Sequence, residues 1–245
     1  MFHPRGPTIF ELARQALSST ERGYDLLAPK FDYTPFRTPS EVLQAVGEYL
    51  AAQQPIDAAL DVCCGTGAAM EMLRPHCRRI VGIDRSHGML DVAQDHVPRA
   101  PGDAQIEFVR GEVLQMPFAN VFDLAVCFGA LGHILPRDEP DFIDQVARVL
   151  RPGGRFVFVT TYLPSRISPH YWLARGFNAA MHVRNFVVKP PFIMYYLTFL
   201  LPRAQQLLQQ RGFTVEIVDD IFPPRYRRLK LVIATKAEET AEKRL

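Results

Sequence analysis

From about residue 58 to residue 160, short apolar runs alternate with stretches of helical periodicity, and this alternation constrains the fold more than any other feature. The apolar runs are 58–62, 79–83, 106–110, 122–128 and 155–160. Helices are expected over about 68–76, over 86–96 and from Asp138 to Leu150, the last stopped by Arg151-Pro152-Gly153-Gly154. A later helix over 203–210 and strands over 214–218 and 229–234 complete seven strands. Such alternation predicts an α/β chain with a doubly wound, Rossmann-like, mostly parallel sheet. Ligands in such sheets sit beyond the carboxyl ends of the strands.

Two helices precede the first strand. Thr8 and Glu11 have capping-box spacing, and Ile9, Leu12, Ala13, Ala16 and Leu17 then share one face. Ser40 opens the second, with Val42, Leu43, Val46, Tyr49 and Leu50 on one side. Residues 24–39 read as a connector rich in proline and aromatic residues. Residues 161–202 interrupt the alternation with 9 aromatic residues and no acidic ones, which we read as a helical lid insertion over the ligand crevice. The expected organisation is a helical cap over 1–52, a core over 53–160, the lid over 161–202, the rest of the sheet over 203–236 and a flexible tail over 237–245.

Composition narrows the function. At 245 residues, 48% hydrophobic and 22% charged, the chain suits one large globular domain. A net charge of +2 argues against a dedicated nucleic-acid binder. The four cysteines form no CxxC pair and have no histidine at finger spacing, so reduced thiols in the cytoplasm and no metal site are expected. No signal-peptide pattern opens the chain, and the greasiest stretch, Phe192 to Leu201, is about half a membrane span.

Three strand ends carry chemistry. Leu60-Asp61-Val62-Cys63-Cys64-Gly65-Thr66-Gly67 runs a strand through a tight glycine turn into a helix, whose N–H groups face a ligand. A pyrophosphate site wants a third glycine where this chain has Met70, so a ligand bound without phosphates fits better. Val81-Gly82-Ile83-Asp84 ends in a carboxylate beside that turn, placed to accept two ribose hydroxyls. Arg110-Gly111-Glu112-Val113 offers an acid for an exocyclic amine and a backbone N–H for a ring nitrogen.

Together with Ser86, Met89-Leu90, Met116-Pro117-Phe118 and the run Arg148 to Gly154, these motifs resemble the class I S-adenosylmethionine (SAM)-dependent methyltransferases. The similarity is strongest to the subgroup of ubiquinone and menaquinone C-methyltransferases, and it covers about Tyr24 to Thr160. The resemblance implies SAM as cofactor and S-adenosylhomocysteine as product. It implies that Gly65 and Gly67 wrap the methionine part, that Asp84 holds the ribose, and that Arg85 flanks the adenine. Glu112 stands where the family usually has Asp against the adenine amine. Asp61, Cys63, Thr66, Met89, Gly111, Val113 and Phe128 fall on the same cofactor-facing segments. Tyr24-Asp25 and Asp32-Tyr33 are similar to the family's lid entry, so Tyr24 or Tyr33 would close over SAM and Arg37 would pair with its carboxylate.

The segment Cys127 to His133 would pass the sulfonium and face the acceptor. It lacks the signatures of amino-methylating nucleic-acid enzymes, of cytosine C5 chemistry, of arginine methylation and of metal-dependent catechol methylation. His133 and Tyr33 are candidate proton acceptors. In the insertion, His170, Tyr171, Trp172, Arg175, Phe177, Met181, His182, Arg184 and Phe186 precede the greasy stretch. The whole segment, greasy stretch included, reads as a hydrophobic acceptor pocket with a few cations, as a face touching a membrane or partner subunit, or as simple packing. The expected activity is methyl transfer to a small, apolar, phenolic or anionic acceptor. The alternative is a SAM-binding module with little catalysis.

Overall fold

Each apolar run forms a strand of one sheet in the computed structural model, which describes residues 3–238. Before the sheet come α1 (Ile9–Ala16), α2 (Thr20–Leu27), a 3-10 turn (Ala28–Tyr33) and α3 (Ser40–Ala51). The alternating part runs β1 (Ile56–Val62), α4 (Ala68–Leu73), β2 (Cys77–Asp84), α5 (His87–His96), β3 (Gln105–Arg110), β4 (Phe122–Cys127), α6 (Glu139–Val149) and β5 (Leu150–Thr160). Then follow α7 (Pro169–Val187), α8 (Arg203–Gln209), β6 (Phe213–Val218) and β7 (Lys230–Lys236). The strand order is β3-β2-β1-β4-β5-β7-β6, with only β7 antiparallel to its neighbours.

Successive residues of a strand face opposite sides, and both sides of this sheet are covered. Leu60, Val62, Ala125, Phe156 and Phe158 pack with Phe142 and Ile143 of α6 and Leu208 of α8. Ala59, Leu124, Val126 and Val157 pack with Val46 of α3, Met70 and Leu73 of α4 and Ala93 of α5. Burial on both faces makes the strands read as continuous apolar runs.

The glycine turn sets how α4 leaves the sheet. Gly67 caps α4 at φ +88°, and a Cβ there would lie 2.3 Å from Val97 Cγ2. Met70, in place of a third glycine, is fully buried, and it fits because Gly82 lacks a side chain: a Cβ on Gly82 would lie 2.4 Å from Met70 Sδ.

Three expectations change. The connector expected over 24–39 begins inside α2, which Ser19 caps by accepting the Arg22 N–H. The expected turn Arg151 to Gly154 belongs to β5, which starts at Leu150 and shifts register against β4 between Phe122 and Leu124. The lid is helical only over α7; residues 188–201 form an irregular strap. Of the expected tail, residues 239–245 lie outside the described residues.

Candidate functional site

A cavity of about 370 Å³ opens beyond the carboxyl ends of β1, β2, β3 and β4. The strand ends form one wall. The cap, through α2 and residues 31–38, and the strap, through Ile193, Met194 and Tyr196, form the other.

Asp84 sits at the centre of the first wall. Its Oδ2 accepts the Gly65 N–H at 2.9 Å and its Oδ1 accepts the Ser86 N–H at 2.9 Å. Burial pushes its acidity weaker than usual, and these N–H groups pull it back. Each oxygen retains a lone pair for a ligand hydroxyl.

Asp61 is 2% exposed and accepts the Met70 N–H, while its Oδ2 has no partner among the described residues. Burial, and then the charge of Asp84, raise its pKa well above the carboxylate range. A buried oxygen without a donor is costly, and a cationic group in the cavity would satisfy it. Cys63 follows in the left-handed region at φ +59°. Its hydrogen bond with Cys127, and then burial, hold its pKa well above the usual thiol value, so it stays a neutral thiol in the wall.

Two aspartates that the candidate set omitted fasten the cap to this wall. Asp32 Oδ1 accepts from Thr66 Oγ1 at 2.7 Å and from Arg37 Nε at 3.2 Å, which brings the Arg37 guanidinium to the glycine turn. Asp25 Oδ1 accepts from Ser86 Oγ at 2.6 Å and from the Gly88 N–H at 3.0 Å. Their signal was present in the Tyr-Asp and Asp-Tyr pairs. At the mouth, Arg85 bridges Glu112 at 2.9 Å and Glu21 at 3.5 Å.

Phe31, Phe36, Leu43, Phe128, Ile134 and Met194 give the cavity its apolar lining. Tyr24 and His133 also line it, with Tyr24 Oη and His133 Nε2 2.8 Å apart. The other ring nitrogen, Nδ1, lies against the Ile193 carbonyl, which accepts but cannot donate. Nδ1 therefore carries the hydrogen, Nε2 is the free base, and the Tyr24 hydroxyl donates to it. Burial lowers the His133 pKa, and burial followed by the charge of Asp84 raises that of Tyr24, so both are neutral near pH 7.

Most of the candidate residues come together here. Tyr24, Arg37, Asp61, Cys63, Gly65, Thr66, Asp84, Arg85, Met89, Gly111, Glu112, Val113, Phe128 and His133 all line the cavity. Gly67 does not; it serves the packing of α4 against Val97. Tyr33 does not either: its ring stacks on His3 at 4.9 Å, with the Arg5 guanidinium 4.5 Å over it. It cannot act as a base there. Of the insertion expected to build the acceptor pocket, the greasy stretch lines the cavity through Ile193, Met194 and Tyr196, while none of the residues singled out between His170 and Phe186 does. Met181 and Phe177 pack with Phe192 and Tyr195, and Arg184 donates to the Ala16 and Ser18 carbonyls at the end of α1.

Comparison with known proteins identifies the family. A methyltransferase domain family matches residues 59–154. An uncharacterised methyltransferase of Synechocystis is 31% identical over 173 residues, covering 67% of this chain and 70% of the relative. A 2-phytyl-1,4-naphthoquinone methyltransferase of Synechococcus elongatus is 32% identical, covering 46% of this chain and 50% of its own length. A demethylmenaquinone methyltransferase of Bacillus licheniformis is 35% identical, covering 43% and 45%. The chain thus spans about half the length of the quinone methyltransferases it matches. In fold, it is similar to the N-methyltransferase NodS of Bradyrhizobium japonicum in complex with S-adenosylhomocysteine, with a TM-score of 0.59 at 17% identity over 93% of this chain and 99% of that one. The chain belongs to the class I methyltransferases that use S-adenosylmethionine as methyl donor.

Proposed function

We propose that the chain methylates a small, apolar, phenolic acceptor and that Tyr24 and His133 receive the acceptor's proton. The observation that carries this reading is the hydrogen-bonded Tyr24–His133 pair lining the cavity, with its free base fixed at Nε2 by the Ile193 carbonyl.

The strand-end wall, with Arg37 of the cap beside its glycine turn, fits the donor group by group. Asp61 Oδ2 suits an α-ammonium, the Arg37 guanidinium an α-carboxylate, and the spare lone pairs of Asp84 a ribose diol. Glu112 and Arg85 offer an acceptor and a planar cation to an adenine edge, with the Gly111–Val113 turn beside them. Cys63, Gly65, Thr66, Met89 and Phe128 shape the space between. SAM, when bound, supplies a methyl group already activated on a sulfonium.

What the chain adds is alignment, dryness and proton removal. The apolar lining of Phe31, Phe36, Leu43 and Ile134 holds a ring and keeps water away. As the acceptor hydroxyl loses its proton to Tyr24 Oη, the Tyr24 hydroxyl passes its own to His133 Nε2. The imidazolium that forms keeps its Nδ1–H on Ile193 O. A His133 that is neutral at rest is ready to accept this proton. An apolar phenol or quinol of this kind partitions into bilayers, so the partners on this reading are the small acceptor and a membrane surface, not nucleic acid.

The test is transfer of radiolabelled methyl from SAM to a panel of apolar phenols and quinols, with wild type and His133→Gln side by side. The reading expects one acceptor class to be labelled. It expects the variant to lose roughly 10²–10⁴-fold in kcat with S-adenosylhomocysteine affinity unchanged. Labelling of amines or carboxylates alone would overturn it.

A further inference from the structure

The insertion leaves an apolar face uncovered. On α7, Trp172, Leu173, Val183, Phe186 and Val187 are 63–85% exposed. They fall within about 140° of the helix circumference, with the small Gly176, Ala179 and Ala180 filling the same arc. Tyr162, Leu163 and Ile167 extend the patch before the helix, at 50%, 54% and 93% exposed. Leu17, next to the Ala16 and Ser18 carbonyls that Arg184 grips, is 59% exposed. An apolar patch this continuous is unusual on a surface that meets only water.

The charge around the patch has one sign. From residue 146 to residue 215 there is no Asp or Glu. Arg175 and His182 flank the apolar arc, Arg166 precedes it and Lys189 follows it, all exposed. Among the described residues, neither Arg166 nor Arg175 has an acidic partner. Two copies paired through this face would bring like charges together. An anionic partner is complementary.

The opposite face of α7 is joined to the cavity wall. Asn178 donates to the Tyr196 carbonyl and accepts the Tyr196 N–H, both at 2.8 Å. Two helical turns later, Asn185 makes the same pair with Phe192, at 3.0 and 2.9 Å. The helix therefore carries the strap, and Tyr196, 44% exposed, stands where the strap meets both cavity and solvent.

We infer that this face of α7 seats the protein on an anionic lipid bilayer, with Trp172, Leu173, Phe186 and Val187 in the headgroup–acyl boundary and Arg166, Arg175 and Lys189 on lipid phosphates. The inference rests on the reading of the acceptor as lipophilic and names the surface from which it would enter. Helices with one apolar face and basic flanks bind in this way, through buried apolar area and attraction to anionic headgroups.

The test is flotation of the full chain with phosphatidylcholine vesicles, with and without phosphatidylglycerol. Wild type should float with the phosphatidylglycerol vesicles, and less so as salt rises. A Trp172→Ser/Phe186→Ser variant should lose about tenfold or more in vesicle affinity. Its melting curve and its S-adenosylhomocysteine affinity should stay as in wild type, because both side chains are exposed and neither lines the cavity. Absence of flotation with either vesicle, or equal flotation of the variant, would overturn the inference. So would a dimer in light scattering that the variant abolishes while vesicles remain unbound, since a second copy would then own the face. Methyl transfer to a water-soluble phenol, measured without vesicles, keeps the two readings apart. Its failure counts against the acceptor reading, and failed flotation alone counts against the docking face.

Discussion

The two walls of the cavity are built in different ways. The strand-end wall is fixed by backbone: Asp84 is held by the N–H groups of Gly65 and Ser86, and the sheet behind them sets their spacing. The strap wall is fixed by side chains reaching for its backbone: Asn178, Asn185 and His133 hold Tyr196, Phe192 and Ile193. The first wall suits a cofactor of constant shape. The second can vary with the acceptor while the sheet stays unchanged, because a few side-chain bonds define it. Damage to the strand-end wall, or to Arg37 of the cap that Asp32 ties to it, should therefore register in cofactor binding, and damage to the strap in acceptor handling.

The largest effect expected is on the pair that joins the walls. His133→Gln should lower kcat by roughly 10²–10⁴-fold, measured in single turnovers, and leave S-adenosylhomocysteine binding intact. Loss of cofactor binding instead would assign His133 to the first wall and break the comparison.

Next come two structural changes that should separate cleanly. Asn185→Ala removes four hydrogen bonds at a residue 9% exposed, including one to Tyr195 Oη at 3.0 Å and one from Arg184 Nη1 at 2.9 Å. It should cost about 2–3 kcal/mol, lower Tm by roughly 4–12 °C and raise the acceptor KM, with cofactor affinity kept. Gly67→Ala forces a Cβ to within 2.3 Å of Val97 at φ +88°. It should cost a similar amount, about 1–3 kcal/mol, and weaken cofactor binding instead. Thermal melts with and without S-adenosylhomocysteine would check both.

Arg37→Ala should weaken S-adenosylhomocysteine binding by about tenfold in calorimetry, the scale of one charge-assisted contact at a partly exposed site. The smallest effect is on pH. The base must be neutral to act, and burial depresses the His133 pKa below its ordinary value of 6.5. Activity should therefore persist as pH falls through 6.5 and fade only below it. The raised Tyr24 pKa adds no loss on the alkaline side of neutrality. An acid limb above pH 6.5 in the kcat profile would contradict the buried, neutral imidazole.

The strand-end wall was legible in the sequence because motif and geometry share a cause. Gly65, Asp84 and Glu112 sit at strand ends, and a parallel sheet lines strand ends up. The cap was half legible. Only Gly23 and Leu27 of α2 are buried, so the helix shows no apolar stripe. In the 3-10 turn Asp32 turns to Thr66 while its neighbour Tyr33 turns to His3 and Arg5, a divergence that adjacency in sequence cannot reveal. The insertion misled most. An apolar helix face is ordinarily the covered one, and the sequence did not show which face of α7 lies open. Here the covered face carries Asn178, Met181 and Asn185, which the strap needs, and the apolar arc is outside.

The central claim is that Asp84 and its neighbours form a S-adenosylmethionine site. Calorimetric titration of S-adenosylhomocysteine into wild type and Asp84→Ala tests it without knowledge of the acceptor. The account predicts micromolar binding to wild type and a loss of about 100-fold in the variant, the scale of two hydrogen bonds to one carboxylate. Equal affinity for both proteins, or no binding to wild type with acceptor phenols present, would contradict it.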